Sequence, residues 1–346
     1  MKKIICAVLI VTFLLCLYSC YGKDEAASDE PSAETVTEQE SYVPTDISGI
    51  AAPFSINGID VPYALYRYYF ANVRYKYDGG DESYWEENDY TEEIRAEVMR
   101  YIRRSYAMEE CAKQYGVELT EAEKAKVEQS IMTDRLQYAD DDEYYRSLDG
   151  NFLTVDTFRY VEETASLEEK MLDYLTSEAS GPKISDNPAL IRRYIDNYVI
   201  RCDHILILNN EGDDVNENET LINELYEKLL SGADFEQLKE QYSEDEQTKY
   251  SGTGYYMAEG DISQILSDAA FSLEVGQMSG VISAPYGYHI VKRLEKDEDY
   301  IENNLSGVFL SFYQSHMLGE MLKKIMADQN IIYDDSYYTY TATTLK

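Results

Sequence analysis

Basic residues are scarce in this chain, and their scarcity limits the partners it can have. The 346 residues include 30 Lys and Arg against 66 Asp and Glu, which sets the formal net charge at −36. A polyanion of this charge repels the phosphates of nucleic acids, so the composition excludes a nucleic-acid-binding function. The charge favours solubility and is compatible with basic or unfolded polypeptide partners.

Cysteine is also sparse, and its positions exclude a zinc site or a disulfide framework. Of the five cysteines, Cys6, Cys16 and Cys20 lie near the N-terminus, which leaves Cys111 and Cys202 for the rest of the chain. No CxxC motif and no Cys/His cluster has zinc-ligand spacing. One disulfide between the two remaining cysteines stays open.

Long apolar runs are absent except at the N-terminus. There "MKK" precedes "IICAVLIVTFLLCL", a run that is short for a membrane span and typical of a secretion signal. The following "LYSC" resembles a lipobox, which implies a lipoprotein signal peptide over residues 1–20 and a lipid on Cys20. The chain would then be extracytoplasmic and anchored to the outer face of the cell membrane. The alternatives are an uncleaved anchor and an ordinary secretory signal.

Residues 21–46 are rich in Ser, Thr and Glu and contain almost no large aliphatic residues. Such a segment buries too little apolar surface to offset its conformational entropy, so we predict a disordered acidic linker. This composition is typical of a flexible tether between a lipid anchor and a folded body.

Residues 47–197 have a mostly helical pattern. An Asn-Gly turn in "SINGIDV" lies between strand-like flanks, and Pro62 then begins a helix. Thr120 and Glu123 have the spacing of a capping box. The other predicted elements are a helix over 91–116 that ends at Gly116, a loop over 139–151, a helix over 154–179 and a short helix capped by Ser185 or Asp186. We therefore predict a helical N-terminal domain over residues 47–197.

The pattern changes at Val199, where "VIRCDHILIL" predicts a strand. Three amphipathic helices follow, with a polar, glycine-containing loop before the third, and then "VISAP" and "YGYHIVKRLE" predict two more strands. The order β–α–α–α–β–β over about one hundred residues is typical of a compact α+β unit. We assign this unit to residues 198–296.

Residues 297–328 return to a helical pattern with one broad apolar stripe. Because the α+β unit already has its own helices, we predict that this helix packs back on the N-terminal helical domain. The segment 297–346 would then make that domain discontinuous. Its tail, "YDDSYYTYTATTLK", is polar and rich in Tyr, and the sequence assigns it no role.

Two of the three histidines, His204 and His289, lie in apolar strand-like runs far apart in the sequence. Around them, "HILI", "GADFEQL", "YSED", "GDISQILSDAAFSLEVGQMSG" and "YGYHIVK" occur in the order of the parvulin family of peptidyl-prolyl isomerases. Residues 198–296 therefore resemble that family. The surrounding plan is similar to extracytoplasmic foldase lipoproteins of the PrsA type, which have a helical domain like that of SurA-type chaperones.

The resemblance implies an α+β fold in which an FKBP-like parvulin domain, with a four-stranded antiparallel sheet plus helices, is inserted into a helical chaperone-like domain. It implies cis–trans isomerisation of X–Pro bonds in exported proteins and binding of unfolded clients. No metal, nucleotide or redox cofactor is implied. The implied residues are His204, Asp245 and His289 for catalysis and Tyr256, Ile262 and Leu266 for the proline pocket.

The implied partners are unfolded or folding exported proteins and, through the lipid on Cys20, the membrane. Nucleic acid is excluded, and a homodimer is compatible with the sequence. His316 matches no motif and is interpreted as a surface or interface residue.

Other interpretations of the same residues stay open. The two histidines can be structural groups that bridge strands, and Asp245 can be a solvated loop carboxylate. Ile262 and Leu266, at i, i+4 spacing, can be core residues. They stand where the family usually has Met and Phe, so the alternative function is a weak or inactive parvulin scaffold that acts as a lipid-anchored holding chaperone. A solute-binding lipoprotein is disfavoured because two α/β lobes are lacking.

Overall fold

A computed structural model describes residues 42–78, 82–86, 88–177, 184–209, 215–259, 261–284 and 286–345. The predicted signal peptide, the lipidation site at Cys20 and most of the predicted linker lie outside the described residues. Within those ranges, no helix combines the length and the apolar composition that crossing a bilayer requires.

The described residues contain eleven α-helices, seven strands and two short 3₁₀ helices. The α-helices are α1 (Tyr63–Asp78), α2 (Thr91–Tyr115), α3 (Glu121–Arg135), α4 (Asp141–Gly150), α5 (Val155–Thr176), α6 (Pro188–Tyr198), α7 (Val215–Leu230), α8 (Phe235–Tyr242), α9 (Gln264–Ser272), α10 (Glu298–Asn304) and α11 (Val308–Asp328). The strands are β1 (Phe54–Ile56), β2 (Ile59–Asp60), β3 (Val199–Leu208), β4 (Tyr255–Ala258), β5 (Ile282–Ala284), β6 (Gly287–Leu294) and β7 (Ile331–Tyr333), and the 3₁₀ helices are Glu82–Glu86 and Asp335–Thr339.

The chain divides into two compact units. The first consists of the described parts of Met1–Val73, Asp89–Tyr174 and Glu320–Lys346. The second consists of the described parts of Arg74–Asn88 and Leu175–Gly319.

A small antiparallel sheet in the first unit has the strand order β2-β1-β7. β1 and β2 are joined by Asn57 and Gly58, whose φ angles are 52° and 80°. Positive φ at both central residues is the type I′ geometry that an Asn-Gly pair favours, so the predicted turn is confirmed. On its other side β1 pairs with β7, where Phe54 lies opposite Tyr333.

Two helix ends in the first unit follow the predicted signals. α2 ends at Gly116, whose left-handed conformation (φ 66°) lets its N–H donate to carbonyls of the last turn. Thr120 and Glu123 form the predicted capping box at the start of α3, because each accepts a hydrogen bond from the other's backbone N–H.

The predicted loop over 139–151 is wrong, because this acidic segment forms α4. Asp140 caps the helix by accepting a hydrogen bond from the N–H of Glu143 at 2.8 Å. Tyr144 and Leu148, one turn apart, are buried in an apolar cluster of the first unit. Acidic residues in a first helical turn are stabilised by the helix dipole, so the composition that suggested a loop also suits a helix N-terminus.

Arg95 holds the tyrosine-rich C-terminal segment in the first unit by hydrogen bonds. The guanidinium of this buried residue donates to the backbone carbonyls of Tyr338 at 3.0 Å and Tyr340 at 2.6 Å. It also lies 5.5 Å from the ring centre of Tyr337, which is buried. The segment therefore contributes packed structure to this unit.

The second unit contains a four-stranded antiparallel sheet with the order β4-β3-β6-β5. The predicted α+β class and four-stranded antiparallel sheet are thereby confirmed. β4 lies in the segment between α8 and α9 that the sequence pattern predicted as a loop, so the order is β–α–α–β–α–β–β. We call residues 198–296, which hold this sheet, the sheet module.

Alternate residues of the central strands face opposite sides of the sheet. On one side, Ile205 and Ile290 pack in an apolar cluster with residues of α7 and α8. On the other side, Cys202 and Val291 pack with Leu266 of α9. The two sides therefore have separate apolar layers.

The two ends of the sheet module lie side by side. Arg201, near the start of β3, pairs with Leu294 at the end of β6. The flanking helices α6 and α10 are joined by Arg192, whose guanidinium donates to both carboxylate oxygens of Glu298 at 2.5 and 3.0 Å. Lys296 adds a hydrogen bond of 2.6 Å to the backbone carbonyl of Ile195 in α6.

Two predicted helix bounds near these ends are wrong. α6 is capped by Asn187, whose Oδ1 accepts from the N–H of Ala189 at 2.9 Å, and not by Ser185 or Asp186. The helix predicted over 297–328 is interrupted between α10 and α11.

Candidate active site

The register of the central strands brings His204 and His289 together. β3 and β6 are antiparallel, with His204 opposite Val291 and Leu206 opposite His289. Residues two positions apart on a strand point to the same side, so both imidazoles lie on the α9 side of the sheet. Their Nδ1 atoms are 3.1 Å apart, which is a hydrogen-bond distance.

Asp245 lies three residues after the end of α8 and contacts the other ring nitrogen of His204. Its Oδ2 is 2.8 Å from His204 Nε2. The same oxygen accepts hydrogen bonds from the hydroxyls of Thr248 at 2.7 Å and Tyr255 at 2.8 Å. Burial alone would raise the pKa of the Asp245 carboxyl, but the hydrogen bonds from His204, Thr248 and Tyr255 outweigh it and hold the pKa far below its usual range.

His289 is the most enclosed member of the group, with 1% of its surface exposed. Burial, with a smaller electrostatic contribution from nearby His204, lowers the pKa of His289 to about 3, so its ring is neutral at physiological pH. Its Nε2 has no hydrogen-bond partner within the described part of the chain. The ring of half-exposed Tyr286 contacts it edge-on, with the ring centres 5.2 Å apart.

Tyr256 is not brought to the histidines, which corrects its predicted place in the proline pocket. Its hydroxyl accepts from the N–H of Asp297 at 2.9 Å, and its ring stacks on Tyr300 at 5.1 Å. The neighbouring Tyr255 reaches the site instead and contacts the ring of His204 edge-on at 5.8 Å. Successive strand residues point to opposite sides of the sheet, so the prediction chose the tyrosine one position after the one that reaches the site. Recognising "YYMA" as a strand would have separated the two tyrosines.

Ile262 and Leu266 lie on the same side of the sheet as the histidines. Both belong to the apolar cluster that contains Cys202 and Val291. Leu266 is 5% exposed, whereas Ile262 is only partly buried. The cluster supplies an apolar surface beside the imidazoles, with Ile262 as its more accessible member.

A buried ion pair that the sequence did not predict supports His204 from the opposite side of the sheet. The Oδ1 of Asp203 accepts from the backbone N–H of His204 at 2.8 Å. Its Oδ2 lies 2.5 Å from the ammonium of Lys239 in α8. The ammonium also donates to the carbonyl of Ser251 at 2.9 Å, so the pair ties β3, α8 and the segment before β4 together.

The described ranges contain neither a cluster of metal-ligand side chains nor a disulfide. Within them, no group of three or more His, Cys, Asp and Glu side chains is placed to hold a metal ion. Cys111 and Cys202 are both free and buried, so the disulfide that the sequence left open does not form between them. Burial raises the pKa of the Cys202 thiol to about 11, which keeps it protonated.

The sheet module matches known proteins. A family model, described as a rotamase or PPIC-type PPIASE domain, matches residues 204–295. The chain is 31% identical over 136 residues to the foldase protein PrsA of Bacillus subtilis (strain 168), a match that covers 38% of this chain and 44% of that protein. It is 36% identical over 93 residues to the chaperone SurA of Methylobacillus flagellatus, covering 27% of this chain and 21% of that protein.

A crystal structure of the foldase protein PrsA from Streptococcus pneumoniae is 27% identical, with 70% of this chain and 86% of that chain covered and a TM-score of 0.34. The chain spans less than half the length of the two curated relatives named above. Residues 204–295 match a PPIC-type PPIase domain, so the predicted resemblance of the sheet module to the parvulin family is confirmed.

Proposed function

We propose that the sheet module catalyses cis–trans isomerisation of X–Pro peptide bonds. The observation that carries the proposal is the contact of His204 with both His289 and Asp245 inside a PPIC-type domain. His204, His289 and Asp245 are the proposed catalytic residues.

The reaction needs a fixed electrostatic environment and no bond cleavage. Amide resonance sets a rotation barrier of about 18–20 kcal/mol, which falls when a site binds the twisted amide better than the planar one. Hydrogen-bonding groups that are already held in place can stabilise the altered carbonyl without reorganising. The bonded rings of His204 and His289 are such groups, and the apolar surface with Ile262 can hold the pyrrolidine ring away from water.

We extend the proposal to an extracytoplasmic, lipid-anchored foldase whose clients are unfolded exported proteins. The names of the relatives, foldase PrsA and chaperone SurA, and the lipobox-like "LYSC" before residue 21 support it. In this proposal residues 47–197 and 297–346 form one client-holding domain. The pairing of β1 with β7 and the binding of the C-terminal segment by Arg95 support that arrangement.

A protease-coupled assay on a prolyl tetrapeptide tests the isomerase proposal. The full chain should accelerate isomerisation, and His204→Ala should reduce kcat/KM at least tenfold, because it removes the ring that links His289 to Asp245. His316→Ala is the matched control, since that ring contacts Tyr194 and Tyr198 of α6. A wild-type rate equal to the uncatalysed rate would exclude isomerase function.

The burial of Leu266 favours a second candidate, a parvulin scaffold that only holds clients. At 5% exposure, this side chain offers little surface to a proline ring. Suppression of aggregation of a reduced, unfolded test protein by the full chain, without isomerase activity, would support this candidate over the first.

A further inference from the structure

One oxygen of the Asp245 carboxylate, Oδ2, is within hydrogen-bond distance of three side chains. Asp245 Oδ2 lies within 2.8 Å of His204 Nε2, Thr248 Oγ1 and the Tyr255 hydroxyl. The other oxygen, Oδ1, accepts the N–H of Gln247 at 3.1 Å. Both oxygens of the carboxylate are therefore engaged, and the side chain is fixed in orientation.

The donor and acceptor roles of these groups determine which ring nitrogen of His204 carries a proton. An ionised carboxylate can only accept hydrogen bonds, so each atom that contacts Oδ2 must donate. His204 must then carry a proton on Nε2, whether its ring is neutral or charged. In the neutral ring, Nδ1 is an acceptor, and the facing Nδ1 of His289 is the donor across the 3.1 Å contact. The bare nitrogen of His289 is then Nε2, which has no partner in the described residues.

We propose that Tyr255, together with Thr248, is a positioning residue that holds the Asp245 carboxylate against His204 Nε2 and thereby fixes the tautomer of His204. Its effect on rate rests on the proposed isomerase function, but its effect on the tautomer does not. The phenol acts through Asp245 and is not itself a catalytic residue.

Three features set Tyr255 apart from an ordinary packing tyrosine. Its hydroxyl is 2.8 Å from Asp245 Oδ2 and 3.3 Å from Gln247 Oε1, so it bonds to the segment that carries Asp245. Its ring also contacts His204 edge-on. Its backbone pairs with Cys202, two residues before His204 on β3, so the sheet fixes its position relative to that histidine.

The chain supplies its own control, because Tyr256 is the next residue on the same strand. Tyr255→Phe and Tyr256→Phe each remove one hydroxyl and keep one ring. Only the first hydroxyl reaches Asp245, whereas the second bonds to the backbone of Asp297. Thr248→Val removes a second donor to Asp245 with almost no change of shape.

The measurement is ¹⁵N and ¹H NMR of the full chain labelled only in histidine, combined with the prolyl-peptide assay. The three histidines give few resonances, and His316→Ala identifies the one outside the site. In the wild type, His204 should show a protonated Nε2 with a downfield, slowly exchanging proton. In Tyr255→Phe and Thr248→Val, that proton should exchange at least tenfold faster, and kcat should fall several-fold at constant KM. Tyr256→Phe should change neither quantity.

An unchanged His204 Nε2–H signal and unchanged kcat in both Tyr255→Phe and Thr248→Val, with folding verified by amide spectra, would overturn the proposal. Finding the His204 proton on Nδ1 alone in the wild type would also overturn it. If the wild type lacks isomerase activity but the proton exchange responds to Tyr255→Phe, the positioning role stands and the proposed function fails.

Discussion

Replacing Lys239 by Met should destabilise the sheet module far more than the loss of one hydrogen bond. The ammonium is fully buried and lies 2.5 Å from Asp203 Oδ2. Burial alone would lower the pKa of Lys239, but its hydrogen bonds to Asp203 and Glu236 raise it, so the side chain is charged. The substitution therefore leaves the Asp203 carboxylate buried without a counter-ion.

The magnitude follows from the geometry of the pair. At an effective dielectric constant of about 20, two unit charges at the separation of this pair attract by about 7 kcal/mol before desolvation is counted. Desolvation of both ions offsets part of that attraction. Removal of one partner from a buried pair costs about 3–5 kcal/mol, and we expect a loss of this size for Lys239→Met.

A second variant isolates the charge effect. Asp203→Asn combined with Lys239→Met removes both charges, and the Asn side-chain oxygen can still accept the N–H of His204. We expect this double variant to lie within about 2 kcal/mol of the wild type, because no uncompensated charge remains.

Urea unfolding of the full chain, followed at the NMR resonances of His204 and His289, reports the stability of this module directly. A loss below about 1 kcal/mol for Lys239→Met, or equal losses in the single and double variants, would refute the reasoning.

Three further predictions concern pH, backbone conformation and the C-terminal segment. The pKa of His289 is about 3 in the folded chain against 6.5 ordinarily. Below pH 6.5 the unfolded state therefore binds one more proton than the folded state, and the free energy of unfolding falls by about 3 kcal/mol at pH 4.5. Urea unfolding of the wild type and of His289→Gln should show this decrease only in the wild type. Gly254→Ala should lower the free energy of unfolding by more than about 2 kcal/mol, because φ is +64° and a Cβ would lie 2.5 Å from the Cys202 carbonyl oxygen. Gly252→Ala is the control: a Cβ there meets no atom within 4 Å, so the same urea unfolding should show no loss. Arg95→Ala should release the C-terminal segment, so limited proteolysis should cut there first; an unchanged digestion pattern would contradict this.

The sequence predicts the histidine pair correctly because local signals agree with the sheet. His204 and His289 each lie in an Ile- and Val-containing run that favours a strand, and the two runs pair as central neighbours. The Asn57-Gly58 turn and the capping box at Thr120 are predicted for the same reason, since each depends on residues within a few positions.

The errors fall where distant contacts decide the structure. β4 has only four residues in a polar segment, and its pairing with β3 makes it a strand. Because the sequence pattern does not predict β4 as a strand, the prediction assigns Tyr256 to the site in place of Tyr255. An error of one residue along a strand places a side chain on the other side of the sheet. The local sequence predicts that Lys239 is a solvent-exposed residue of a helix. Its burial is explained only by its partner Asp203, 36 residues earlier in the chain.

The adjacency of Arg201 and Leu294 has a consequence for protein engineering. Backbones of paired antiparallel residues are about 5 Å apart, so excising the segment between them leaves a gap that two or three residues can bridge. The same spacing lets the excised segment be grafted as a cassette into any surface hairpin whose two arms have that separation. Transplanted in this way, the cassette would carry its histidines, its carboxylate and its tyrosine to a new host.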